Sequence, residues 1–64
     1  MSIKDLETRR AIIAAENNDL ARQKQFYVSR NYSNLANIVQ DKIDENNKAI
    51  ESIDRRIENA FNYG

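Results

Sequence analysis

Residues 36–60 read ANIVQDKIDENNKAIESIDRRIENA, and within them Ala36, Val39, Ile43, Asn46, Ile50, Ile53, Ile57 and Ala60 alternate by threes and fours. That spacing holds one stripe of a helix toward a partner for more than three heptads, which is a coiled-coil seam and not the two-residue alternation of a strand. Upstream, Ile3, Leu6, Ile13, Leu20 and Tyr27 recur at helical spacing, the last four at intervals of seven. Ser2-Ile3-Lys4-Asp5 opens this first segment as an imperfect capping box, with Asp where Glu or Gln is usual. Between the segments lies Ser29-Arg30-Asn31-Tyr32-Ser33-Asn34, rich in side chains that compete for the backbone and favour turns and caps. Either Asn31 or Ser33 is expected to cap the second helix. The pattern predicts an all-α fold, an antiparallel, coiled-coil-like two-helix hairpin. It forms a single helical-hairpin domain over 1–64, with a helix at about 3–29, a turn at about 30–33 and a helix at about 34–61.

Folding back near position 31 or 32 sets residues whose numbers sum to 63 opposite each other. Leu6 then meets Ile57, Ile13 meets Ile50, Leu20 meets Ile43, Tyr27 meets Ala36 and Ile3 meets Ala60. The polar layer that matches itself is Asn17 opposite Asn46, a register pair: any slip would leave each amide facing Ile or Leu. Arg10 and Lys24 also fall on the seam, where long stems can lie on apolar surface while the charge reaches water.

Such a seam makes a thin core, and the hairpin leaves apolar side chains on both flanks. One flank holds Ala14, Ala21 and Val28 with Phe61; the other holds Leu35, with Phe26 and Ile38 at nearly the same level and Ile12 further along. Ile12, Phe26, Tyr32, Leu35 and Ile38 are therefore the expected interface residues. Burial of the flanks by a second copy is expected to complete a four-helix bundle, as a homodimer or higher oligomer.

Composition removes whole classes of chemistry. The chain has no Cys, His, Trp or Pro, and its one Gly is residue 64. Disulfides, thiol nucleophiles and zinc knuckles need Cys, and the commonest general base and transition-metal ligand is His. Phosphate-cradling loops and EF-hand turns need internal Gly. The longest apolar run, Ala11 to Ala15, is too short for a membrane span or a secretory h-region. Low hydropathy and nine Asn lean toward disorder, but zero net charge, eight Ile and a clear period oppose it. The same Asn and Ile richness is compatible with an AT-rich genome, as in many phages and low-GC bacteria.

Three groups of residues could carry chemistry. Asp41, Asp44, Glu45 and Glu51 share part of one helix, but bundle metal sites pair carboxylates with His, and Lys48 follows Asp44 by four residues. A solvated acidic face is expected there, with no metal and no cofactor. Arg22, Lys24 and Arg30 surround Phe26, Tyr27 and Tyr32, the mixture of cations and aromatics that binds phosphate and stacks on bases. Against a nucleic-acid role, the count is small, and Asp41 lies level with Arg22 across the hairpin. Glu7 with Asp54, and Arg9 with Arg56, set like charges side by side on opposite flanks, which points outward to complementary charges on another chain.

The expected function is a small, non-catalytic protein–protein interaction module of the inhibitor, adaptor or assembly-factor kind. It would work in the cytoplasm, away from membranes, through its exposed apolar flanks, with itself and another protein as partners. An RNA- or DNA-binding hairpin dimer is the alternative, and a structural subunit of a larger oligomer is a third.

Overall fold

A computed structural model describes residues 2–63, and for Tyr63 the backbone alone. Two helices make up the chain, α1 over Ile3–Ser29 and α2 over Ser33–Tyr63, packed against each other in a hairpin of 50 × 14 × 13 Å. α2 thus starts one residue before the expected range and ends two after it.

Each helix end has an identifiable cause. Ser2 sits in extended backbone and its Oγ accepts from the Asp5 N–H at 3.2 Å, which satisfies one of the donors that a helix start leaves free. At the other end of α1, Asn31 adopts φ 62°, the left-handed region that Asn tolerates better than most residues. The Asn31 N–H then donates to the Val28 carbonyl at 3.1 Å and the Tyr32 N–H to the Tyr27 carbonyl at 2.9 Å. These two bonds form a Schellman closure, and the Tyr27 and Tyr32 rings, 6.5 Å apart, supply the apolar contact that accompanies it. Asn31 therefore terminates α1 and does not cap α2. Nor is Ser33 a cap, since it lies inside α2, whose first backbone bond runs from the Ala36 N–H to the Tyr32 carbonyl.

The helices differ in how they present apolar groups. α2 is strongly amphipathic, whereas α1 spreads its apolar residues around its circumference. Leu6, Ala36, Val39 and Ile53 are the buried apolar residues, with Asn46 buried among them. Ile3, Ile13, Leu20, Tyr27, Ile43, Ile50 and Ile57 are half-buried along the same seam. Ala60 is exposed, contrary to its expected place in the seam. It stands level with the first turn of α1.

Polar seam residues are bonded across the hairpin, with Arg10 still about half exposed to water and Lys24 half-buried. Arg10 Nε donates to Asp54 Oδ1 at 2.6 Å, Asn17 Nδ2 to Asn47 Oδ1 at 2.9 Å, and Lys24 Nζ to Gln40 Oε1 at 2.7 Å. Both strings step by seven residues, so the three bonds form a ladder along one side of the hairpin. The ladder joins each polar α1 position to the residue just beyond the one that faces it. Asp54 is thereby paired with Arg10, and the like-charge contact expected with Glu7 is offset. Gln40 continues the third rung by donating to Asp44 at 2.8 Å, so Asp44 accepts from Gln40 where Lys48 was its expected neighbour.

Candidate interaction surface

The side opposite the ladder carries the larger apolar groups. Phe26 is 50% exposed, Leu35 44%, Ile38 64% and Ile12 63%. Phe26 and Ile12 occupy the same position of the heptad on α1, two repeats apart. Leu35 and Ile38 stand on the first turns of α2, level with Phe26. The Arg30 guanidinium lies 4.7 Å from the centre of the Phe26 ring, which holds a cation over an exposed aromatic face. Phe26 also meets Tyr27 edge-on at 5.7 Å, so its ring is braced from the hairpin side. Tyr32, at the turn, is about half exposed, and with Asn31, Ser33, Asn34 and Leu35 it lines an open hollow of about 390 Å³.

Val28 and Phe61 are exposed as well, on the ladder side, near opposite ends of the hairpin. They form no group comparable to Phe26, Leu35 and Ile38.

The residues expected to touch nucleic acid are not gathered as free cations. Lys24 is half-buried and bonded to Gln40, and Arg30 lies over Phe26. Arg22 is well exposed and pairs loosely with Asp19 one turn back, at 3.9 Å, not with Asp41 across the hairpin. Asp41, Asp44, Glu45 and Glu51 all point outward, and among the described residues no three acidic groups converge as metal ligands do.

Asn17 and Asn46 meet, with Asn46 Nδ2 donating to Asn17 Oδ1 at 2.9 Å. They do not form an isolated pair. Asn46 Nδ2 also donates to Glu16 Oε1 at 2.9 Å, and Asn17 donates onward to Asn47. Four side chains share the polar layer, and among the described residues no buried side-chain N or O lacks a partner.

No known protein family, no curated protein and no solved structure matches this chain. Its surface is therefore read on its own chemistry. Among the described residues no helix is long and apolar enough to cross a membrane. The sequence pattern located the apolar flank, because heptad position alone separates it from the seam. It missed the three-rung ladder, although the signal was present: polar residues at intervals of seven on both helices, offset by one from the facing register.

Proposed function

We propose that this chain is a non-catalytic protein–protein interaction module that works as a dimer of hairpins in the cytoplasm. In this reading the apolar flank near the turn is the contact surface, and the activity is occupancy of a partner, as in an inhibitor, adaptor or assembly factor. One observation carries it: Phe26, Leu35 and Ile38, each between 44% and 64% exposed, stand together at one end with Arg30 across the aromatic ring. Grouped large apolar side chains mark contact surfaces, and an aromatic with an adjacent Arg is the composition of binding hot spots. The thin core points the same way, since among the described residues four apolar ones, Leu6, Ala36, Val39 and Ile53, are buried within the hairpin. A protein partner is favoured over nucleic acid because Lys24 and Arg30 are already engaged within the chain.

The test is sedimentation of the purified chain at micromolar concentration, alongside Phe26→Ala and Ile38→Asp. Loss of association by about 2 kcal/mol or more in either variant, with helicity retained, is the expected result. Unchanged mass and unchanged partner capture in both variants would remove the support for this surface. A particle much heavier than a dimer would favour a structural subunit. Tight binding of RNA or DNA that weakens steeply with salt would favour the nucleic-acid alternative.

A further inference from the structure

We propose that a second copy of this chain covers the side bearing Ile12, Phe26 and Ile38, antiparallel to the first, about a two-fold axis crossing α1 at Asp19. The proposal rests on the interaction reading and specifies its geometry.

The two broad sides of the hairpin are chemically unlike. One carries the ladder and, beside it, the outward acids Asp44 and Glu51 on α2, a run of like charge with no basic neighbour opposite, whereas the charges of the other side, Asp19, Lys42 and Glu45 among them, include both signs. The opposite side carries the exposed apolar groups. The stretch that two copies share about that axis, roughly 37 Å by 14 Å or about 500 Å² of projected area, is at the small end of specific interfaces.

Charge selects the orientation, since a parallel pairing would also match apolar groups by setting Phe26 on the second copy's Ile38. Ile12 and Phe26 lie seven residues on either side of Asp19 at the same heptad position, about 10 Å from it along the helix at 1.5 Å per residue. A two-fold axis there brings Ile12 of each copy onto Phe26 of the other, twice per dimer. On α2 the level of Asp19 falls at Asp44. Ile38 and Ala49 straddle it nearly evenly, as do Lys42 and Glu45. The same axis therefore sets Ile38 against the second copy's Ala49 and Lys42 against its Glu45. Lys42 and Glu45 are both exposed and already lie 3.8 Å apart within one chain, so a four-charge cluster results. A parallel pairing, with turns together, would instead stack Asp19 on the second copy's Glu45 and Arg9 on its Arg56. Both are like-charge contacts. The antiparallel axis brings the two Asp19 carboxylates together, each with its own Arg22 alongside at 3.9 Å. Its other like-charge approach, Arg9 to the second copy's Arg30, is eased by the position of Arg30 over its own Phe26.

The chain has no native cysteine, so cross-linking reads this geometry directly. Asp19→Cys, oxidised with diamide at micromolar concentration, should form a disulfide-linked dimer at least about tenfold faster than Asn18→Cys on the ladder side, because the axis holds the two thiols together. The unmodified chain should sediment as a dimer. A dimer in which Asn18→Cys links as fast as or faster than Asp19→Cys overturns the geometry and leaves the interaction reading in place. A chain that stays monomeric up to about 100 μM, above the micromolar range expected of weak specific complexes, overturns the proposal. The interaction reading itself then stands or falls on whether Phe26→Ala abolishes capture of a foreign protein.

Discussion

Asn46 Nδ2 lies 2.9 Å from both Asn17 Oδ1 and Glu16 Oε1, so one buried amide ties α2 to two successive residues of α1. Asn46 is only 8% exposed. Sliding either helix by a heptad would set Asn17 against Val39 or Ile53 and Asn46 against Lys24 or Arg10, with a cost of about 1–3 kcal/mol for each buried group left unpaired. The amide layer thus favours one alignment out of several that the Ile-rich seam would otherwise accept.

Replacing Asn46 with Ile should leave the hairpin as stable as before or raise its stability by up to about 1 kcal/mol. Burial of the new side chain, about 1.5–3 kcal/mol, slightly exceeds the loss of two hydrogen bonds at about 0.5–1.5 kcal/mol each. The same variant should lose uniqueness of register, seen as extra peaks or broadened amide signals in NMR spectra. An unfolding free energy from urea titration lowered by more than about 1 kcal/mol, with sharp spectra, would show that the amide layer stabilises rather than specifies.

The Arg10–Asp54 rung is exposed on both sides, so its contribution depends on salt. Asp54→Asn should melt below the parent at low ionic strength. The two should converge near 1 M salt, where the screening length falls to about 3 Å. The hydrogen bond that Arg10 donates to Asp54, and then the Asp54 charge, raise the pKa of Arg10. The stabilisation tied to the guanidinium is accordingly complete below the ordinary Arg value and is lost only as pH climbs through the raised one. Melting curves across the neutral range should therefore show no step from Arg10.

Asn31 holds φ 62°, where a β-branched residue is strained. Asn31→Val should cost about 1–2 kcal/mol, while Asn31→Gly should be neutral within about 0.5 kcal/mol or mildly stabilising. Urea titrations of the two variants decide this. Equal destabilisation by Val and Gly would mean that the Asn side chain, not the backbone angle, matters at the turn.

Ile53 and Leu6, 6% and 5% exposed, should be the most costly truncations. Each change to Ala is expected to lose about 2–3 kcal/mol, the lower part of the usual range, because a two-helix core can collapse around the gap. Ala60→Ser, at a position outside the seam, should change stability by less than about 0.5 kcal/mol.

How much of this was legible in advance varies with the physics behind each feature. The helices and their facing stripes follow from heptad spacing, which acts through burial, and Leu6, Val39, Asn46 and Ile53 sit where the spacing puts them. The turn was placed correctly but read with the wrong chemistry. Asn31 and Ser33 suggested an N-cap, and whether Asn ends one helix or starts the next depends on a single backbone angle that composition does not reveal. The ladder escaped because only directly facing layers were considered, whereas Arg10, Asn17 and Lys24 reach one residue past them. Ala60 shows the opposite failure: its spacing is that of the seam, yet it is exposed.

Because the ladder occupies one long side, the grouped large apolar side chains Phe26, Leu35 and Ile38 stand on the other. A particle with adhesive surface on one side has a valency of one. Two such particles satisfy each other and stop, whereas a two-sided one would keep adding neighbours into a fibre. Placing Lys24, Asn17 and Arg10 on one shared edge thus has a bearing on colloidal behaviour. If copies associate through the one apolar side, as proposed, growth would stop at the pair even though a net charge of zero gives little mutual repulsion.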